Sequence, residues 1–153
     1  MFSRKNNLQV KTELNALTAI LSWFGQLHEP QIPKSTWLRC ELALAEAFTN
    51  AVRHAHKNKS SEIPIDIEVT ISDGGIEIRI WDEGEAFDLN KHLEKMLSAR
   101  DNQTGGGRGL QLIQKTTDFF SYTRTDLGRN CLLMVKFYSG DTGSSQRKIA
   151  DLS

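Results

Sequence analysis

The sequence has no excess of charge of either sign. Its 153 residues hold 19 Lys and Arg against 19 Asp and Glu, a formal net charge of zero. A general nucleic-acid or membrane-surface binder usually shows a basic surplus, so direct nucleic-acid binding and membrane association are not expected. Cysteine is scarce. Cys40 and Cys131 stand far apart with no CxxC or Cys/His cluster, which argues against a zinc site and leaves two small buried thiols as the expectation. Long apolar runs are also missing. Ala16 to Leu21 is among the longest, well short of the roughly 18 residues a membrane span needs. Met1 to Lys11 is mixed and polar rather than a secretory core. The reading is a soluble, cytoplasmic chain.

What is present suits one domain: 39% hydrophobic and 25% charged residues, enough for a sizeable core. Leu8 to Thr12 reads as a short strand. Glu13 to Leu27 reads as a helix with Leu14, Leu17, Leu21 and Phe24 at helical spacing. Pro30 and Pro33 break it. The next helix has Arg39 to His56 as its body and Leu38, Leu42, Ala45, Phe48 or Thr49, and Val52 as its expected core stripe. Ile63 to Ile71 and Ile76 to Ile80 alternate as strands around a Ser72-Asp73-Gly74-Gly75 turn. Asp88 to Leu97 reads as a short helix, Ser98 to Gly107 as a mobile glycine-rich segment, and Leu110 to Thr116 as a helix. Phe119 to Arg124 and Cys131 to Tyr138 form a second hairpin. Residues 1–138 make the expected domain and 139–153 a flexible tail. Helices and strands are segregated, which predicts an α+β two-layer sandwich.

Three segments could carry chemistry. In the second helix, Glu46, Asn50 and His54 recur at four-residue steps and Arg53 lies seven from Glu46, so an α-helix sets all four along one face. A carboxamide oxygen such as that of Asn50 can ligate Mg²⁺ beside phosphates, and a carboxylate such as Glu46 can accept a proton from an attacking hydroxyl. Asp82-Glu83-Gly84-Glu85-Ala86 follows a buried strand, where Asp82 can accept from an exocyclic amine such as adenine N6 and Gly84 allows close approach to a base. Gly105-Gly106-Gly107-Arg108-Gly109-Leu110 opens a helix, where backbone N–H groups can cradle phosphates and Arg108 can add a charge-assisted bond. It is neither a Walker loop nor a dinucleotide fingerprint. Each segment alone reads more readily as a solvated face or loop. Their order along the chain points to ATP with Mg²⁺.

With those residues in view, the chain from about Leu8 to Tyr138 resembles the GHKL ATPase superfamily, and within it the anti-sigma-factor serine/threonine kinases. Glu46-Ala47-Phe48-Thr49-Asn50-Ala51-Val52-Arg53-His54 is similar to the family's N box, Asp82 and Gly84 to its Asp-x-Gly box, and Gly106-Gly107-Arg108-Gly109-Leu110 to its glycine box. The resemblance implies Glu46 as catalytic base, Asn50 as Mg²⁺ ligand and Asp82 as the adenine reader. It assigns the remaining nucleotide contacts to Arg53, His54, Gly84, Ala86, Gly105, Gly106, Gly107, Arg108, Gly109 and Leu110. It also implies a Bergerat-type ATP-binding fold with a mixed, mostly antiparallel sheet and helices on one face. The implied partners are a second copy in a homodimer, a STAS-type antagonist protein as phosphoacceptor, and a sigma factor. The chain departs from the pattern at Glu85-Ala86-Phe87, at Arg108, and at Asn130-Cys131, where many relatives place a hydroxyl near the adenine. The expected function is therefore a regulatory kinase. A nucleotide-dependent binding module without kinase activity is the alternative, and a plain ATP hydrolase stands behind both.

Overall fold

The computed structural model of the chain describes residues 3–86 and 105–138. The helix expected at Asp88–Leu97, most of the glycine-rich segment before Gly105 and the tail from 139 lie outside them. In chain order the elements are β1 (Ser3–Lys11), a 3₁₀ turn (Leu14–Ala16), α1 (Leu17–Gly25), α2 (Lys34–Asn50), a π-helical turn (Ala51–Ala55), β2 (Pro64–Ser72), β3 (Gly75–Asp82), α3 (Gly105–Thr116), β4 (Phe119–Arg124) and β5 (Asn130–Phe137). The strands form one sheet in the order β1-β2-β3-β5-β4. Every pairing is antiparallel, so the mixed element of the expected sheet is absent among the described strands.

The sheet's alternation builds the core. Ile65, Ile67, Val69 and Ile71 of β2 and Ile76, Ile78 and Ile80 of β3 are buried against the helices, with Leu132 and Met134 of β5 in register beside Ile80 and Ile78. Period-two burial of this kind seals one face of an antiparallel sheet and leaves the other polar. The opposite face carries ion pairs such as Arg79 with Glu68 and Arg129 with Asp66. Gly74 and Gly128 take left-handed φ values of 82° and 79° in the two hairpin turns, a conformation that costs glycine nothing.

Two helical expectations need correction. The segment read as a helix from Glu13 begins as a 3₁₀ turn, and α1 itself spans Leu17–Gly25. Leu14 is exposed, while Ile20 and Phe24 are the buried anchors. In α2 the stripe is rotated. Trp37, Cys40, Ala43, Leu44, Ala47 and Phe48 face the core, whereas Leu38 and Leu42 are 53% and 42% exposed. Both registers satisfy helical spacing and differ by one residue, about 100° of rotation. Trp37 decides between them, because its ring stacks on Phe24 with centroids 4.1 Å apart. Of the two cysteines, Cys40 is buried and Cys131 only partly so. Burial pushes the Cys40 thiol up to about 12, which makes it a poor nucleophile.

Candidate functional site

The rotation of α2 puts Glu46 and Asn50 on its flank, beside α3. A methyl group at Gly109 would lie 3.0 Å from Glu46 Oε2 and 3.2 Å from both terminal atoms of the Asn50 carboxamide. The glycine segment is thus not a loop before a helix: Gly105 to Leu110 is the opening of α3 itself. Buried Leu110 and Ile113 anchor that helix, and packing of this kind outweighs glycine's cost of about 1 kcal/mol per helical position. Asn50 Nδ2 is buried with no hydrogen-bond partner. Leaving such a group unpaired costs about 1–3 kcal/mol, a penalty that a ligand can remove.

Beyond Asn50 the helix widens. His56 N donates to Ala51 O at 2.9 Å, an i to i+5 bond. In an α-helix, residue 56 would sit about 140° around from residue 51. The π turn brings it back over Ala51 and into the interior. The same widening breaks the four-residue spacing, so the single face expected for Glu46, Asn50, Arg53 and His54 does not extend past Asn50. Arg53 and His54 are exposed.

The turn also holds the Asp82 segment. A methyl at Gly84 would come within 2.7 Å of Ala55 O, so the two backbones pack flush there. His56, 2% exposed, fills the remaining junction. Thr12 Oγ1 donates its proton to Ile63 O at 2.6 Å. It must therefore accept from His56 Nδ1 at 2.7 Å. That leaves Nε2 to accept the Glu83 N–H at 2.8 Å. The chain Glu83 to His56 to Thr12 to Ile63 needs a neutral imidazole. Burial lowers the His56 pKa, against the opposing pull of Asp82 and Glu83.

A pH dependence of stability follows. The unfolded chain takes up this proton near pH 6.5, while the folded chain binds it more weakly. The stability is fully present above about pH 6.5 and declines as pH falls toward the lowered folded value. Each tenfold loss in proton affinity is worth about 1.4 kcal/mol. Urea midpoints at pH 7.5 and 5.5 check this. The unaltered protein should lose more stability over that interval than His56→Gln, and equal losses would remove His56 as the source.

Asp82 is 4% exposed and fully engaged on one oxygen. Its Oδ1 accepts Gly84 N–H and Asn130 Nδ2, both at 2.9 Å. Its Oδ2 accepts the Tyr122 hydroxyl at 2.7 Å. Asn130 Nδ2 also reaches Gly84 O and Glu85 O, and Arg124 Nη1 donates to Gly84 O at 2.7 Å. Ala86 is exposed at the end of this segment.

Thr12, His56, Tyr122, Arg124 and Asn130 were not among the residues singled out from sequence. Asn130 stood out only as a departure where relatives offer a hydroxyl. The hydroxyl on Asp82 comes instead from Tyr122 on β4, two strands away in the sheet. Cross-strand register could have found Asn130 and Arg124, since Asp82 pairs with Asn130 and Asn130 with Arg124. Among the described residues no cluster of three or more His, Cys, Asp or Glu could hold a metal ion. No described helix is long and apolar enough to cross a membrane.

Known proteins are similar to this chain. The model of the histidine kinase-like ATPase domain matches residues 10–136. The serine-protein kinase RsbW of Staphylococcus epidermidis is 37% identical over 83 residues, 51% of this chain and 52% of that protein. The match thus spans about half the length of that relative. The anti-sigma F factor of Caldanaerobacter subterraneus subsp. tengcongensis is 28% identical over 131 residues, 85% of this chain and 87% of that protein. A solved structure, the SiaB–SiaC complex from Pseudomonas aeruginosa, shares the fold with a TM-score of 0.60 at 13% identity, covering 87% of this chain and 89% of that one.

Proposed function

The chain belongs to the histidine kinase-like ATPase domain family, and from that premise we propose that it is an ATP- and Mg²⁺-dependent serine/threonine protein kinase with an anti-sigma role. Its acceptor would be a STAS-type antagonist protein and its sequestered partner a sigma factor, with the kinase acting as a homodimer in the cytoplasm. The names of the relatives favour this reading, one a serine-protein kinase and another an anti-sigma factor. The observation that carries it is the meeting of Glu46, Asn50 and Gly109, with a buried carboxamide nitrogen left unpaired.

Those residues fit a metal-bound phosphate group. Bound there, Mg²⁺ would take the Asn50 carboxamide oxygen and phosphate oxygens as ligands and offset the charge on the transferred group. A site with few protein ligands suits this ion, which is commonly held through substrate phosphates and water. Glu46 would accept the proton of the incoming serine or threonine hydroxyl as the hydroxyl oxygen bonds to the γ-phosphorus and the bond from that phosphorus to the β,γ-bridging oxygen breaks, with ADP leaving. Backbone N–H groups at the start of α3 would hold the phosphates, and Arg108 would add a charge-assisted bond. Asp82 would accept from the adenine 6-amino group. Gly84 keeps the Asp82 segment against the π turn that follows the helix carrying Glu46 and Asn50.

Transfer of ³²P from labelled ATP to candidate STAS proteins tests the proposal. Label on a serine or threonine of one candidate supports it. A stable nucleotide-dependent complex with no label transfer replaces the kinase by a binding module of the same fold. Asn50→Ala should weaken ATP binding about tenfold or more in Mg²⁺, as expected for loss of a charged-group contact, and change it little in EDTA. Calorimetric titration in both buffers measures the difference, and equal weakening in both would remove Asn50 as a ligand.

A further inference from the structure

The turn that carries Asp82 is held from two sides. From the sheet, Asn130 Nδ2 directs its hydrogens at Asp82 Oδ1 and at the Gly84 and Glu85 carbonyls, and Arg124 Nη1 donates to Gly84 O. Those bonds all end on oxygens of the turn. Gly84 N–H folds back on Asp82 Oδ1. Glu83 N–H instead crosses to the helical layer, where His56 Nε2 accepts it at 2.8 Å. The next residue is pressed against the same π turn, since a methyl at Gly84 would meet Ala55 O at 2.7 Å.

His56 can hold the turn because its other nitrogen is committed. Nδ1 donates to Thr12 Oγ1, whose own proton goes to Ile63 O. The tautomer is thereby fixed, with the Nε2 lone pair left for Glu83. Thr12 lies just after β1 and Ile63 just before β2, so the ring ties the turn to the far side of the sheet. A protonated ring would place an N–H on Nε2, where the Glu83 N–H already points. Two donors cannot bond each other, and the turn would have to leave the helix. The charged groups acting on His56 are Asp82 and Glu83 from the end of β3, which favour its protonation, and Lys59 from the loop after the π turn, which opposes it. On the β1 side it meets the neutral Thr12 hydroxyl.

Resting on the ATP reading of Asp82, we propose that His56 is a positioning residue for the adenine end of the site, its neutral ring holding the Asp82–Gly84 turn in the form that meets the base. It acts through Glu83 rather than on the nucleotide. A turn freed from His56 spends less time in the binding-competent form, and apparent affinity falls by that fraction. Protonation of His56 thus weakens ATP binding, and bound ATP weakens proton binding at His56 by the same factor.

Calorimetric titration of ATP in Mg²⁺ against the unaltered protein, His56→Leu and His56→Gln tests this. At pH 7.5 His56→Leu should bind ATP about fivefold more weakly, the scale of one neutral hydrogen bond. A glutamine carboxamide offers both an acceptor and a donor, so His56→Gln should recover most of that loss. From pH 7.5 to 5.0 the unaltered protein should lose about threefold more ATP affinity than His56→Gln, a ratio from which the nucleotide's own titration cancels. A lowered urea midpoint in His56→Leu with ATP affinity kept would give His56 a role in folding alone and overturn the proposal. Equal acid losses in the unaltered protein and His56→Gln overturn it as well. NMR titration of the His56 ring in the unaltered protein needs no variant. Saturating ATP should lower its protonation midpoint by at least the same threefold factor, about half a pH unit, and an unchanged or raised midpoint overturns the proposal. Failure of the unaltered protein to bind ATP at pH 7.5 is a different result, which removes the ATP reading and the proposal with it.

Discussion

Replacing Glu46 by alanine is expected to slow phosphoryl transfer to the protein acceptor by about 10²- to 10⁴-fold, the range of a lost general base. ATP affinity should stay within about threefold, since no adenine contact changes and removing a carboxylate near phosphates takes away a repulsion. Glu46 Oε2 lies 3.0 Å from where a side chain on Gly109 would begin, at the junction of α2 and α3. It is therefore placed to act on whatever the start of α3 holds. Labelled transfer under single-turnover conditions isolates the chemical step, and a parallel titration measures binding. Wild-type transfer by Glu46→Ala would require a different base. Loss of ATP binding and transfer together would make Glu46 a binding residue.

Asp82→Ala is expected to remove ATP binding and to destabilise the fold by roughly 3 kcal/mol, from buried donors left unpaired at about 1–3 kcal/mol each. The Gly84 N–H bears most of this loss, since Asn130 keeps the Gly84 and Glu85 carbonyls as partners. That is a large share of the 5–15 kcal/mol typical of a domain. Asp82→Asn retains one acceptor oxygen and should fall between the two. Urea unfolding compares the three proteins. A midpoint for Asp82→Ala equal to that of the unaltered chain would mean that the Asp82 network contributes no net stability.

The hairpins were the most legible part of the fold. Ile65, Ile67, Val69 and Ile71 announce both the strand and its buried face, because strand period and burial period coincide at two. Asp73-Gly74 announces the turn. Helix faces were less legible. Two registers of α2 satisfy helical spacing, and only the stacking of Trp37 on Phe24 selects one. The π turn left no clear mark in the sequence, since Ala51 to Ala55 continues an acceptable α-helical run. Its effect is large all the same: it buries His56, leaves Arg53 and His54 exposed, and seats Gly84 against Ala55.

By itself the sequence determined the two hairpins, the sandwich class, and the three segments from which a nucleotide site is proposed, while the first strand, expected at Leu8–Thr12, runs from Ser3 to Lys11. These follow from local periodicity and from residue chemistry at fixed spacing. Only the tertiary structure decided which side chains surround Asp82 and what lies against Asn50. Those partners come from elements distant in the chain: Tyr122 and Arg124 from β4, Asn130 from β5 and Gly109 from α3. Strand order, register and helix rotation set these meetings. All three depend on how the whole core packs rather than on any one window of sequence.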